Sequence, residues 1–141
     1  MLSVVEQKLP DYLIHLGDGE QDLYQLEARW PLLPIIHVQG NCDRFSTAEY
    51  VFCEEIAGKR IFATHGHRFN VKFDSTLQSL RYAAMERNAE ILLYGHTHEP
   101  FQDFYMGMHI LNPGSAGASY CPTYGEIHID KETVSVEILP I

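Results

Sequence analysis

The sequence predicts a mixed α/β chain, α+β in the way its elements are distributed. Strands alternate with helices at first, and hairpins take over later. Three observations carry this. Ile91-Leu92-Leu93-Tyr94 is an apolar run too short for a helix, and it ends at Gly95. Helix-periodic segments separate the earlier strand-like runs. Three later pairs of strand-like runs flank turns at Gly58, Gly107 and Asp130. That order argues for mixed sheets with helices outside them rather than one parallel sheet.

Each element has its own signal. Leu2, Val5 and Leu9 have a helical spacing that Pro10 ends. Tyr12 to Leu16 reads as a strand, followed by the turn Gly17-Asp18-Gly19. Asp22 to Trp30 reads as a helix closed by Pro31 and Pro34, with Trp30 in the core. Ile35 to Val38 is the next strand, and Gly40-Asn41-Cys42-Asp43 is its loop. Tyr50 to Ile56 and Arg60 to Thr64 form a hairpin around Gly58-Lys59, ending in His65-Gly66-His67. Ser75 to Arg87 is the clearest helix, with Leu77, Leu80, Ala84 and Met85 on one face. After Ile91 to Tyr94, Phe101 to Met106 pairs with Met108 to Leu111 about Gly107. Asn112 to Ser115 turns into a last hairpin, Gly125 to Asp130 with Thr133 to Leu139.

The 141 residues are enough for one domain with a real core, spanning residues 1–141. No apolar run approaches a membrane span and no signal segment opens the chain, so a cytoplasmic protein without membrane contact is expected. Three cysteines without paired spacing argue against a disulfide framework. A formal net charge of -9 argues against a nonspecific grip on nucleic acid. An anionic substrate then needs a local positive centre, which a bound metal supplies.

Four predicted strands end in a loop with a potential ligand: Asp18, Asn41, His65, and the pair His96 and His98. Positions i and i+2 of an extended segment share one side, so His96 and His98 can converge. In open α/β sheets, ligands gather at the carboxyl ends of strands. Mixed oxygen and nitrogen donors suit a divalent transition ion such as manganese, iron, nickel or zinc. Gly17, Gly40, Gly66 and Gly95 remove side chains where backbones crowd the ions. Taken singly, each feature has a plainer reading. Asp18, Asn41 and Asp43 are common turn formers, and His65 and His67 fit a solvated loop. His15, His37, His109 and His128 lie within strands and read as ordinary sheet residues.

In this order, Gly17-Asp18, Gly40-Asn41-Cys42-Asp43, Thr64-His65-Gly66-His67 and Gly95-His96-Thr97-His98 resemble the calcineurin-like metallophosphoesterases. The branch resembled is that of the small prokaryotic phosphodiesterases, which share the turn Asn112-Pro113-Gly114-Ser115. The resemblance implies a four-layer α/β/β/α sandwich of two mixed sheets with a two-metal site at its rim. It implies that Asp18 bridges both ions, that Asn41, His65 and His96 complete one shell, and that His98 serves the other. A hydroxide activated by the metals would attack phosphorus in line. The ions and nearby imidazoles, His67 among them, would stabilise the added charge. The substrate class is a small phosphoester, either a phosphodiester or a phosphomonoester.

The chain departs from this family in two respects. The family opens with a strand ending in Asp-x-His, which completes the shell of the ion served by His98. No such motif is present here. A strand–helix–strand unit takes about 30 residues or more, whereas seventeen precede Asp18. The expectation is therefore a missing first strand, with Met1 an internal methionine or the gene truncated. One ion would bind well and the second poorly, with little hydrolysis. Unpaired sheet edges would lower stability or draw in a partner, a second copy included. The other departure is Cys42, where many relatives place a histidine thought to protonate the leaving group. A thiol donates poorly and suits only good leaving groups. The alternative function is a non-catalytic interaction scaffold, as in the retromer subunit of the same fold.

Overall fold

The computed structural model describes residues 1–141. The chain begins with α1 (Leu2–Lys8), β1 (Leu13–His15), α2 (Leu23–Arg29) and β2 (Ile35–His37). A hairpin of β3 (Val51–Ile56) and β4 (Lys59–Thr64) follows, then α3 (Gln78–Met85) and β5 (Ile91–Tyr94). Two more hairpins complete it: β6 (Phe101–Tyr105) with β7 (Met108–Asn112), and β8 (Thr123–Ile129) with β9 (Val134–Pro140).

The centre is a five-stranded mixed sheet of order β3-β4-β5-β7-β6. β5 lies parallel to both β4 and β7, and the outer strands are antiparallel. Every residue of β5 is buried, as a strand covered on both faces should be. Alternation sorts its neighbours. Phe62, Leu92, Tyr94, Met108 and Ile110 face one way and pack with Leu80 and Ala84 of α3. Ile61, Ala63, Ile91, Leu93 and Leu111 face the other way. That second face is covered by Ile14, Leu16 and Ile36 around the parallel pair β1–β2, and by Ile127, Val136 and Ile138 of β8–β9. No strand ladder joins these two small sheets. On the far side of β1–β2, Leu13 and Ile35 meet Val5 of α1 and the i,i+3 pair Leu23 and Leu26 of α2.

Several boundaries differ from the sequence expectation for identifiable reasons. The loop of the first hairpin is Ala57-Gly58, both at positive φ, so Lys59 already belongs to the strand. Helix α3 starts three residues later than expected. The Asp74 carboxylate takes the N–H groups of Thr76 and Gln78, and Leu77 is left-handed at φ 54. A local side-chain bond has competed with the helix there. Met85, placed on the buried face, is 37% exposed. It lies five residues beyond Leu80, which rotates it well off the Leu80–Ala84 stripe. Trp30 is only partly buried, at the edge of the cluster formed by α1 and α2.

Candidate metal centre

The parallel pairs β1–β2 and β4–β5 both run towards the same region, so their carboxyl ends bring four loops together. His65 is the centre of the arrangement. It follows β4 directly and is 2% exposed. Its Nδ1 lies 2.7 Å from the Leu16 carbonyl just after β1. A carbonyl can only accept, so Nδ1 carries the proton and Nε2 presents a lone pair. Around Nε2 stand Asn41 Oδ1 at 3.1 Å, His96 Nδ1 at 3.0 Å and Asp18 Oδ2 at 3.3 Å. The donor atoms of Asp18, His65 and His96 all lie within 4.8 Å of one another. Asn41 Nδ2 is turned away towards Cys42 Sγ at 3.3 Å, which leaves its oxygen facing His65.

The chemistry of this donor set fits a cation. Two acceptor oxygens and a lone pair on nitrogen face one another with few protons to share. Burial first, and then Lys72, His65 and His67, push the pKa of His96 down to about 4. His96 is therefore neutral at pH 7, the state a ligand needs. Burial likewise lowers the pKa of His67. Its ring centroid lies 5.3 Å from that of His65 and 6.1 Å from that of His96, and its buried Nδ1 has no hydrogen-bond partner.

Of the residues singled out from sequence, Asp18, Asn41, His65 and His96 come together. His67 and Cys42 flank them. The exposed Cys42 gives its N–H to Asp18 Oδ1 at 2.8 Å, and the charge of the Asp18 carboxylate pushes its thiol pKa up. His98 is exposed and left-handed at φ 60, and it lies outside the group of convergent donors.

Several contributors escaped the sequence reading. The Leu16 carbonyl orients His65 and has no side-chain signature. Lys72 adds positive charge near His96. Asn112, read as part of a turn, is fully buried and donates to the Gly95 carbonyl at 3.1 Å and to Thr97 Oγ1 at 2.9 Å. It also accepts the Gly114 N–H at 3.0 Å. Asn112 thus ties the end of β7 to the loop bearing His96. Asn112→Ala strands these groups and is expected to destabilise the chain by about 2–3 kcal/mol in urea unfolding.

The glycines divide. A Cβ on Gly17 would sit 2.7 Å from Gly40 N and 2.8 Å from His65 Nδ1, and one on Gly40 would collide with the Asp18 carboxylate and amide. Gly95 has nothing nearer than 3.4 Å, at Leu16, so crowding is not its reason for being glycine. Gly40→Ala is expected to lower both thermal stability and Mn2+ affinity. Gly95→Ala is expected to lose less than about 1 kcal/mol. Parallel melting curves and metal titrations check the pair.

Donors from four separate loops, meeting at the carboxyl ends of two parallel strand pairs, are the arrangement in which an α/β protein holds a ligand such as a metal ion. Residues 1–132 match the calcineurin-like phosphoesterase superfamily domain, and the chain belongs to that family. It is 35% identical over 106 residues to the probable metallophosphoesterase YsnB of Bacillus subtilis, covering 74% of this chain and 59% of that protein. Among solved structures it is similar to a conserved uncharacterized protein of Streptococcus pneumoniae, a predicted phosphoesterase. That match has 31% identity and a TM-score of 0.79 over 98% of this chain and 79% of that one. The zinc complex of Vps29 from Entamoeba histolytica has the same fold at 20% identity, with a TM-score of 0.68 over 92% and 82% of the two chains. The mixed α/β fold is thus a metallophosphoesterase fold. No helix is long and apolar enough to cross a membrane.

Proposed function

We propose that this chain is a divalent-metal-dependent phosphoesterase acting on phosphodiesters or small phosphomonoesters. The observation that carries the reading is the convergence of Asp18, Asn41 and His96 on His65 Nε2, in a chain of this family. These four residues would hold one cation. Manganese is the favoured ion, with iron, nickel or zinc as alternatives, and Vps29 has been solved with zinc. A divalent ion, when bound, supplies charge for a phosphoryl oxygen and acidity for a bound water. His65 presents its lone pair because Leu16 holds its other proton. His67, with an unpartnered Nδ1 beside the cluster, is free to stabilise charge building on the phosphate. Cys42 is a weak proton donor to the leaving group, which favours activated esters.

In the same reading, β1–β2 and β8–β9 are two parts of one layer within a four-layer α/β/β/α sandwich. Their cover of a single apolar face without a joining ladder supports this. Asp18 and His98 would serve a second ion, and because His98 is exposed and outside the convergent donors, that ion is expected to bind less well than the first, with slow turnover. The exposure of His98 favours the alternative reading, a metallophosphoesterase-fold scaffold without catalysis.

Calorimetric titration with Mn2+, paired with hydrolysis of a bis-nitrophenyl phosphodiester, tests the proposal. One ion per chain and slow Mn2+-dependent turnover that His65→Ala abolishes are expected. No bound ion, or turnover unaffected by His65→Ala, overturns the enzyme reading. A bound ion with no turnover favours the scaffold. Two tightly bound ions contradict an impaired second site.

A further inference from the structure

We propose that Asp43 is a positioning residue of the metal centre, whose carboxylate clasps the two ligand-bearing loops and holds Asp18 in the conformation that aims it at His65. The inference rests on the metal reading of Asp18, Asn41, His65 and His96.

The loop Gly17-Asp18-Gly19 carries three consecutive positive φ values, 89, 59 and 107. Glycine adopts that region freely, but aspartate does so at a penalty of about 1–2 kcal/mol. Such a residue persists where its surroundings over-determine it. Nothing within the Gly-Asp-Gly tripeptide does that. Asp43 does, from the other loop. Its Oδ2 accepts the Asp18 N–H at 2.7 Å, and its Oδ1 accepts those of Gly19 at 3.0 Å and Glu20 at 3.4 Å. Successive N–H groups in such a turn form an anion-binding concavity, and here a side chain of the protein fills it. The Gly40 N–H, from the Asn41 loop, also reaches Asp43 Oδ2 at 2.9 Å.

The clasp is reciprocal. Asp18 Oδ1 accepts the Cys42 N–H at 2.8 Å, so each carboxylate holds the backbone of the other's loop. This leaves Asp18 Oδ2 facing His65 Nε2. Asp43 is itself anchored, because its carbonyl accepts Gln39 Nε2 at 2.9 Å and the Ser46 N–H at 3.2 Å. Both of its carboxylate oxygens are engaged by N–H donors, and it is not among the convergent ligand atoms. It therefore acts through Asp18 and Asn41 rather than on an ion.

The test compares the parent chain with Asp43→Asn and with Asp74→Asn. The second variant removes a similar carboxylate–amide knot, that of Asp74 with Thr76 and Gln78, which includes none of the convergent donors. Two measurements are made: amide hydrogen exchange of the apo chains, and Co2+ titration followed by visible absorption. In Asp43→Asn, exchange at Asp18, Gly19 and Gly40 is expected to rise by about tenfold or more. Co2+ is expected to bind about 10–100-fold more weakly, with an altered ligand-field spectrum. Asp74→Asn is expected to leave both the affinity and the spectrum as in the parent. Unchanged exchange at the three amides overturns the clasp. Loosened amides with unchanged Co2+ affinity and spectrum overturn the positioning role. So does equal weakening by Asp74→Asn, which would reduce Asp43 to general stability. A parent chain that binds no Co2+ overturns the metal reading and the positioning role with it. Exchange then still reports whether the two loops are clasped, so the two failures are told apart.

Discussion

His65→Ala is expected to abolish saturable Mn2+ binding and, with it, any metal-dependent phosphodiesterase activity. Nε2 of this residue is the one atom with all three other donors within 3.3 Å. Its removal should exceed the 10–100-fold loss typical of removing an outer-shell partner. The loss is also expected as a missing thermal response. A parent chain at about 100 times its dissociation constant in Mn2+ gains about 2.7 kcal/mol of stability by mass action. The variant should melt at the same temperature with and without Mn2+. A metal-dependent shift of equal size in both proteins would place the ion elsewhere.

Phe62→Ala is expected to carry the largest stability penalty of any single truncation, about 3–5 kcal/mol. Phe62 is fully buried in β4, between Cys53 on β3 and Leu92 on β5 in the sheet register. It packs with Leu80, Ala84 and Ile110, and meets Phe69 edge to face at 6.2 Å between centroids. Partners on three strands and a helix cannot all close on the space it leaves. Since β4 delivers His65, the same variant should weaken metal binding before it unfolds. Urea denaturation gives the first quantity and calorimetry the second. A penalty below about 1 kcal/mol would mean that the cluster repacks, which natural cores rarely do for a whole aromatic ring.

Much of this was legible in the order of residues, and the exceptions are physical. Apolar runs bounded by glycine located β5 to the residue and the hairpins within a residue or two, because turn chemistry is local. The ligand loops were legible for the same reason: each follows a strand, and the C-terminal ends of parallel strands share a rim. Where boundaries moved, a side chain had bonded to nearby backbone. Asp74 delays α3, and no periodicity in Leu77, Leu80 and Ala84 announces that.

By itself the sequence determined the class of strands and helices, the family, and which side chains are chemically able to bind a cation. Only the tertiary structure decided which of them meet. His96 joins Asp18, Asn41 and His65 while His98, two residues on, stays in solvent, because left-handed turns at both residues replace the extended geometry in which they would share a side. Only the tertiary structure, too, brought in the Leu16 carbonyl, Asn112 and the Asp43 carboxylate. Their contribution is a hydrogen bond across tens of residues of chain, and such a bond exists only once the loops have been carried to one place.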